Sequence, residues 1–312
     1  MSVLSAAYFH DETAAYQYLE GILWANGPVC PHCGNYDTKR IGTLKGKSTR
    51  IGVRKCYACR KPFTVKVGTV FESAHIPLHK MLQAVFLLTS SKKGFSAHQL
   101  HRTLEITYKS AWFLAHRIRE AMRTGGLAPM GGNGGVVEVD ETFIGNKKDK
   151  PKKRGYGHKH TVLTLVSREG EARSFVVDDC KTSTVVPVIR QNVAREARMM
   201  TDEAGQYVHL RREFADHQVV RHGAKEYVRG EAHTNTIEGY FSIFKRGMKG
   251  VYQHCGEKHL HRYLAEFDFR YNNRVANGVE DHGRARRAIE GVVGKRLTYR
   301  GPDKSDKETL NA

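Results

Sequence analysis

The residues of this 312-residue chain best placed to do chemistry are carboxylates that end apolar runs. Asp140 follows Val136-Val137-Glu138-Val139, so Glu138 and Asp140 fall at period two on a strand predicted to be central. A carboxylate there is costly to leave unpaired, and a bound cation would compensate it. The plain alternative is a strand-end aspartate turned to solvent. Asp202 ends a second apolar run, Met199-Met200-Thr201, with N-capping of the next turn as its plain alternative. Asp178 and Asp179 end a third run and rank below Asp202. Glu141 and Glu203 adjoin the favoured aspartates; strand neighbours point to opposite faces, which leaves both outside the site. The third candidate, Glu238, lies on a helix whose polar stripe is Asn235, Glu238, Ser242, Lys245 and Lys249, beside an apolar stripe of Ile237, Phe241, Phe244 and Met248. Asn235 and Glu238 also read as a capping box, in which Glu238 reaches back to a backbone N–H. Acids on two strands and one helix are what two-metal phosphoryl transfer needs, because they can hold two divalent ions about 3.5–4 Å apart.

A second set of ligands precedes these acids. Cys30 and Cys33 form one Cys-x-x-Cys knuckle, and Cys56 and Cys59 another, with 22 residues between the pairs. That spacing matches a zinc ribbon. Four thiolates close the coordination sphere, so such a zinc is structural and not catalytic. A redox site is the alternative, but it needs one pair rather than two. His32 reads as a turn residue.

The elements that must position these groups follow from periodicity. A helix is expected over 8–24, starting near Asp11 or Thr13. The ribbon is expected over 28–75. Three helices follow within 76–123, broken near Leu104–Thr107, which fits a helix-turn-helix or a small three-helix bundle. Residues 124–135 hold six glycines and a proline and read as a linker. Three strands, a helix over 183–198 despite Pro187, a short strand-like stretch over 197–205 and the Glu238 helix then give the order of an RNase H-like α/β core over 136–275. A last helix is expected over Lys258–Asn272, with Arg262 and Arg270 left for solvent or phosphate. A basic extension follows over 276–312, its last residues frayed. The fold class expected is therefore α+β multidomain: N-terminal helix (1–27), zinc ribbon, helix-turn-helix-like segment, RNase H-like core.

The net charge of +19 favours a polyanion, nucleic acid before an anionic membrane surface. The basic loop carrying Lys147, Lys148, Lys150, Lys152, Lys153 and Arg154 reads as a DNA grip or as a solvated charge run. No apolar stretch is long enough to span a membrane, and the N-terminus lacks the order of a signal peptide. A cytoplasmic, nucleoid-associated protein is expected.

Several motifs occur in one order: Cys-Arg-Lys-Pro-Phe-Thr after the second knuckle, Gly-Thr-Val-Phe-Glu, Val-Asp-Glu-Thr-Phe-Ile-Gly, Thr-Asp-Glu, and His-Thr-Asn-Thr-Ile-Glu-Gly-Tyr-Phe-Ser-Ile-Phe-Lys-Arg-Gly. As a set, over about residues 10–290, they resemble zinc-ribbon DDE transposases of bacterial insertion sequences, the ISXO-type group. The resemblance implies a carboxylate triad, Asp140, Asp202 and Glu238, holding Mg²⁺ or Mn²⁺, with Asn235 as the other candidate for the third position. It implies cleavage at element ends and joining of the freed 3′-OH to target DNA. Lys245, Arg246 and Lys249 would hold phosphates, and a homo-oligomer would bring double-stranded DNA ends together. A DNA-binding regulator, or a nuclease with the same core that cannot join strands, is the alternative.

Overall fold

The computed structural model describes residues 3–148, 150–224, 226 and 228–298. The chain divides into two compact units: residues 1–86, 97–121 and 286–312, and residues 87–96 with 122–285. The end of the expected C-terminal extension, residues 299–312, lies outside the described residues.

In the first unit, α1 (Glu12–Leu23) starts where Asp11 accepts the Ala14 N–H at 2.7 Å, an N-cap bond. The three-stranded antiparallel ribbon follows as β1 (Ile41–Thr43), β2 (Arg54–Cys56) and β3 (Pro62–Phe63). Each knuckle ends on a left-handed residue, Gly34 after Cys33 (φ 71) and Arg60 after Cys59 (φ 62), which turns the chain tightly enough to leave both sulfurs on one side. Trp24, Ile41 and Phe63 pack around the cysteines. Arg54 ties the ribbon to α1 through two bonds to Glu20, at 3.2 and 2.6 Å. The helices α2 (Leu78–Ser90), α3 (Ala97–Leu104) and α4 (Tyr108–Met122) follow. The turn between α3 and α4 holds Glu105 at φ 51.

The second unit is built on a five-stranded sheet. Its strands are β4 (Val136–Ile144), β5 (His160–Ser167), β6 (Ala172–Val177), β7 (Arg198–Thr201) and β8 (Asp216–Val219). Their spatial order is β6-β5-β4-β7-β8: the first three run antiparallel, and β7 and β8 run parallel to β4. Helix α5 (Thr182–Asn192) joins β6 to β7. It stops six residues short of the expected 198, and the chain instead pairs Val193 with Met130. A short hairpin, β9 (Val228–Arg229) and β10 (Ala232–His233), leads into α6 (Asn235–Gly247), then α7 (Leu260–Asn272) and α8 (Asp281–Glu290).

Alternation on the strands sorts the core. Val137, Val139, Leu163 and Leu165 pack with Val185, Ile189 and Met199 on the α5 side. Val162 and Val166 pack with Ile237, Phe241, Phe244 and Leu264 on the α6–α7 side. Two expectations fail here. Strand β8 went unread because Asp-His-Gln-Val is short and polar, as an edge strand can be. Arg270 is not left for solvent: it is 6% exposed and ion-paired to the buried Glu266 one turn earlier.

Candidate active site

The acids are set by strand register. Val137 and Val139 face α5, so Glu138 and Asp140, at the other parity, face α6. Parallel pairing of Glu138 with Met200 brings the end of β7 level with Asp140 and leaves Asp202 just beyond it. Asp140 is half-buried, and its Oδ1 accepts the Glu141 N–H at 2.7 Å. Burial pushes its carboxyl up to about 7; the negative charges of Asp202 and Glu141 add to this, while Lys245 opposes it. Asp202 Oδ1 accepts the Ala204 N–H at 3.0 Å. Asp140, Asp202, Glu141 and Lys245 thus act on one another electrostatically.

Glu141 was placed outside the site by strand parity. It does point away from Asp140, toward Gln206 (Nε2 at 3.1 and 3.3 Å) and the buried Tyr207. Asp202 still reaches it, and burial raises its pKa. The signal available in sequence was the Asp-Glu doublet itself. Glu203 instead receives the Gly223 N–H at 2.8 Å. Asp179 accepts bonds from the Thr184 hydroxyl (2.7 Å) and the Lys181 N–H (3.1 Å), which hold its carboxyl down at about 2 and tie it to the start of α5.

Glu238 lies exposed in the first turn of α6 and accepts the Thr234 hydroxyl at 3.1 Å. Asn235 is the exposed first residue of the helix. The expected capping box does not form, because the N-cap is Thr234 and Asn235 is already helical, and the Glu238 N–H goes to the Thr234 carbonyl at 3.1 Å. Glu138, fully buried on β4, accepts the N–H of Thr236 (2.9 Å) and of Ile237 (2.9 Å) and the Thr236 hydroxyl (2.8 Å). Arg168 donates to the same carboxylate at 2.9 Å and to the His233 carbonyl at 3.1 Å. Sequence reasoning noticed Glu138 and gave it no separate task. Its task is to fix the start of α6 to the central strand, with a negative charge at the positive end of the helix dipole.

Further along α6, Lys245 sits 5.7 Å over the Phe241 ring. Arg246 folds back on its own helix, bonding the Ser242 carbonyl and hydroxyl at 3.0 and 2.7 Å. Gly247 admits no side chain: a Cβ would fall 2.4 Å from the Lys93 carbonyl and 2.5 Å from Phe267. Lys249 is exposed just beyond. In the basic loop, Lys148, Lys152, Lys153 and Arg154 are exposed, as is Lys150, whereas Lys147 is half-buried and donates to the Asp178 carbonyl at 3.1 Å.

The four cysteine sulfurs lie within 4.8 Å of one another, and two cross-pairs, Cys30–Cys59 and Cys33–Cys56, stand at 3.7 Å. A tetrahedron with Zn–S bonds of about 2.3 Å has edges of about 3.8 Å, so the cage fits zinc. His32 stays outside it, 3.3 Å from the Pro62 carbonyl. Among the described residues, Asp140, Asp202 and Glu238 do not close to the same span. The donor set nevertheless suits a hard cation: two carboxylates share a confined spot, and Asp140 is pushed toward neutrality by lack of compensation.

The comparisons agree with this division. Residues 10–62 match the transposase zinc-ribbon domain, and residues 133–272 match the ISXO2-like transposase domain. The chain thus carries a four-cysteine ribbon similar to the transposase zinc ribbon, followed by an acid-bearing mixed sheet within the stretch similar to the ISXO2-like transposase domain. A relative from Halobacterium salinarum, described as an uncharacterized protein in transposable element ISH50, is 27% identical over 279 residues, which cover 84% of this chain and 91% of the relative. No helix among the described residues is long and apolar enough to cross a membrane.

Proposed function

We propose that this transposase cuts DNA at element ends and joins the freed 3′-OH to target DNA, using an RNase H-like core with divalent-metal chemistry. The observation that carries the reading is Asp140: a carboxylate on the central strand, half-buried, beside Asp202, with Lys245 as the cation that reaches it. The strand order β6-β5-β4-β7-β8 supports the fold assignment. Asp140 and Asp202 would hold Mg²⁺ or Mn²⁺, with Glu238 as the third ligand and Asn235 as its neighbour on the same stripe. When bound, the metal neutralises developing charge on phosphate and lowers the pKa of a coordinated water or hydroxyl.

The chain's own residues orient the DNA. Lys245 and Lys249 lie on the stripe that carries Glu238, so they place positive charge where a scissile phosphate would sit. The basic loop, the ribbon and the α2–α4 segment would add sequence-independent phosphate contacts. Two ends brought to one target call for a homo-oligomer on DNA. The test is cleavage and strand transfer of labelled element ends with Mg²⁺, comparing the parent protein with Asp140→Ala. Loss of both steps is expected. Joining that survives the substitution sinks the triad, and hydrolysis without joining of pre-cleaved ends reduces the activity to that of a nuclease.

A further inference from the structure

Next to the acids lies a groove of which the phosphoryl-transfer reading uses only Lys245 and Lys249. It has a volume of about 560 Å³, and its lining includes Phe143, Tyr156, Lys159, Lys245, Lys249 and Gln253. The basic loop shapes it. The Lys147 N–H bonds the His158 carbonyl at 2.8 Å and closes the loop at its neck. The loop then lays Tyr156 back over the strand, where its ring stacks on Phe143 at 4.4 Å and 5° between planes. Tyr156 remains 57% exposed, so it is no core residue. Lys159 brings its ammonium to 5.3 Å from the same ring.

We propose that this groove is a subsite for one unstacked DNA base, with Tyr156, backed by Phe143, as its platform. The proposal rests on the reading of the chain as a DNA-cutting transposase and adds which part of the DNA the groove takes. The size suits a small planar group. One face of Tyr156 lies on Phe143 and the Lys159 ammonium lies over the ring; a base stacking there displaces that ammonium to a flanking phosphate, the combination of aromatic platform and cations by which proteins hold single-stranded nucleic acid. Phe143 lies three residues beyond Asp140 on β4, about 10 Å along the strand and at the other parity, but Lys245, which lines the groove, also reaches Asp140, so a base seated here belongs to a strand whose phosphate lies near the acids. Stacking tolerates any base, so the subsite distinguishes unpaired from paired nucleotides rather than one sequence from another.

The experiment uses the full-length, zinc-loaded protein in Mg²⁺-free buffer. The probes are two duplexes of one sequence, blunt or ending in a short single-stranded overhang that carries 2-aminopurine. The overhang duplex is expected to bind at least about fivefold more tightly than the blunt one. Its 2-aminopurine fluorescence is expected to be quenched on binding. Tyr156→Ala should abolish both the preference and the quench while leaving blunt-duplex affinity near the parent value, and Tyr156→Phe should keep both. Equal affinity for the two duplexes, or a quench that survives Tyr156→Ala, overturns the proposal. Cleavage with Mg²⁺ is scored separately: cutting that persists in Asp140→Ala, with the quench intact, defeats the catalytic assignment and leaves the subsite standing.

Discussion

Glu138 and Glu12 solve the same problem at two places in the chain. Glu12 accepts the N–H groups of Leu78 (2.8 Å) and His79 (3.1 Å) at the start of α2, as Glu138 does for Thr236 and Ile237 at the start of α6. A helix start has four N–H groups without intrahelical partners, and a carboxylate from another element satisfies two of them while matching the dipole. Removing the Glu138 carboxylate leaves Arg168 without its ion-pair partner and two amides without acceptors in a buried spot. Glu138→Ala is therefore expected to cost about 3–5 kcal/mol in a denaturant titration. Glu138→Gln, which keeps one acceptor oxygen, should cost less, and equal losses for the two would assign the whole effect to the charge and contradict a contribution from the accepted hydrogen bonds. His217 gives a prediction in pH. Its Nε2 lies 2.9 Å from the Thr201 hydroxyl, which already donates its proton to the Asp202 carbonyl, so Nε2 must carry the ring proton. Burial holds the His217 pKa below 6.5. As pH falls through 6.5 the unfolded chain takes up the proton first, so stability falls until the folded ring titrates too. Above pH 6.5 this contribution is fully present. Replacing His217 by Gln should flatten that part of the melting-temperature profile, measured from pH 8 down to pH 5.

At the scale of elements, the ribbon hangs on its metal more than on its core. Its three strands hold only two or three residues each, and Cys30, Ile41, Cys56 and Phe63 make up its buried cluster. Zinc binding is then folding free energy. Stripping zinc with a strong chelator should abolish protection of the 30–63 amides in hydrogen exchange, while amides of β4 and β5 stay protected; retained ribbon protection would refute a structural zinc. The ribbon was legible in the sequence because four cysteines at fixed spacing leave few options. Helix α6 was legible from its stripes, and β4 and β5 from their apolar runs. What escaped has physical reasons. Strand β8 has only His217 buried and offers no apolar alternation to read. Arg270 was assigned to solvent because charge alone was weighed, whereas its partner Glu266 lies one turn earlier and is equally hidden. Glu141 was discarded by parity, a rule that fixes which way a side chain points but not how far its charge reaches across a strand end.

Across the whole molecule the excess of positive charge sets how DNA is met. Each phosphate contact lowers the slope of log affinity against log salt by about 0.9 on duplex DNA. Binding should weaken steeply between about 50 and 200 mM salt. Charge reversal at the exposed Lys152, Lys153 and Arg154 should flatten the dependence without changing the fold, as checked by titration at several salt concentrations. A slope near zero in the parent protein would remove nucleic acid as the partner of that charge. The Glu138 anchor carries a consequence for timing. The carboxylate and the amide of Thr236 stand 98 residues apart in the chain. A ribosome adding about 5–20 residues per second needs about 5–20 s to travel between them. For nearly all of that interval Asp140, and for about its last third Asp202, are already made, while the helix bearing Glu238 and Lys245 is not. A nascent chain therefore gains Glu238 and Lys245 last, so under the proposed function it cannot cut the DNA around it until synthesis of α6 is complete.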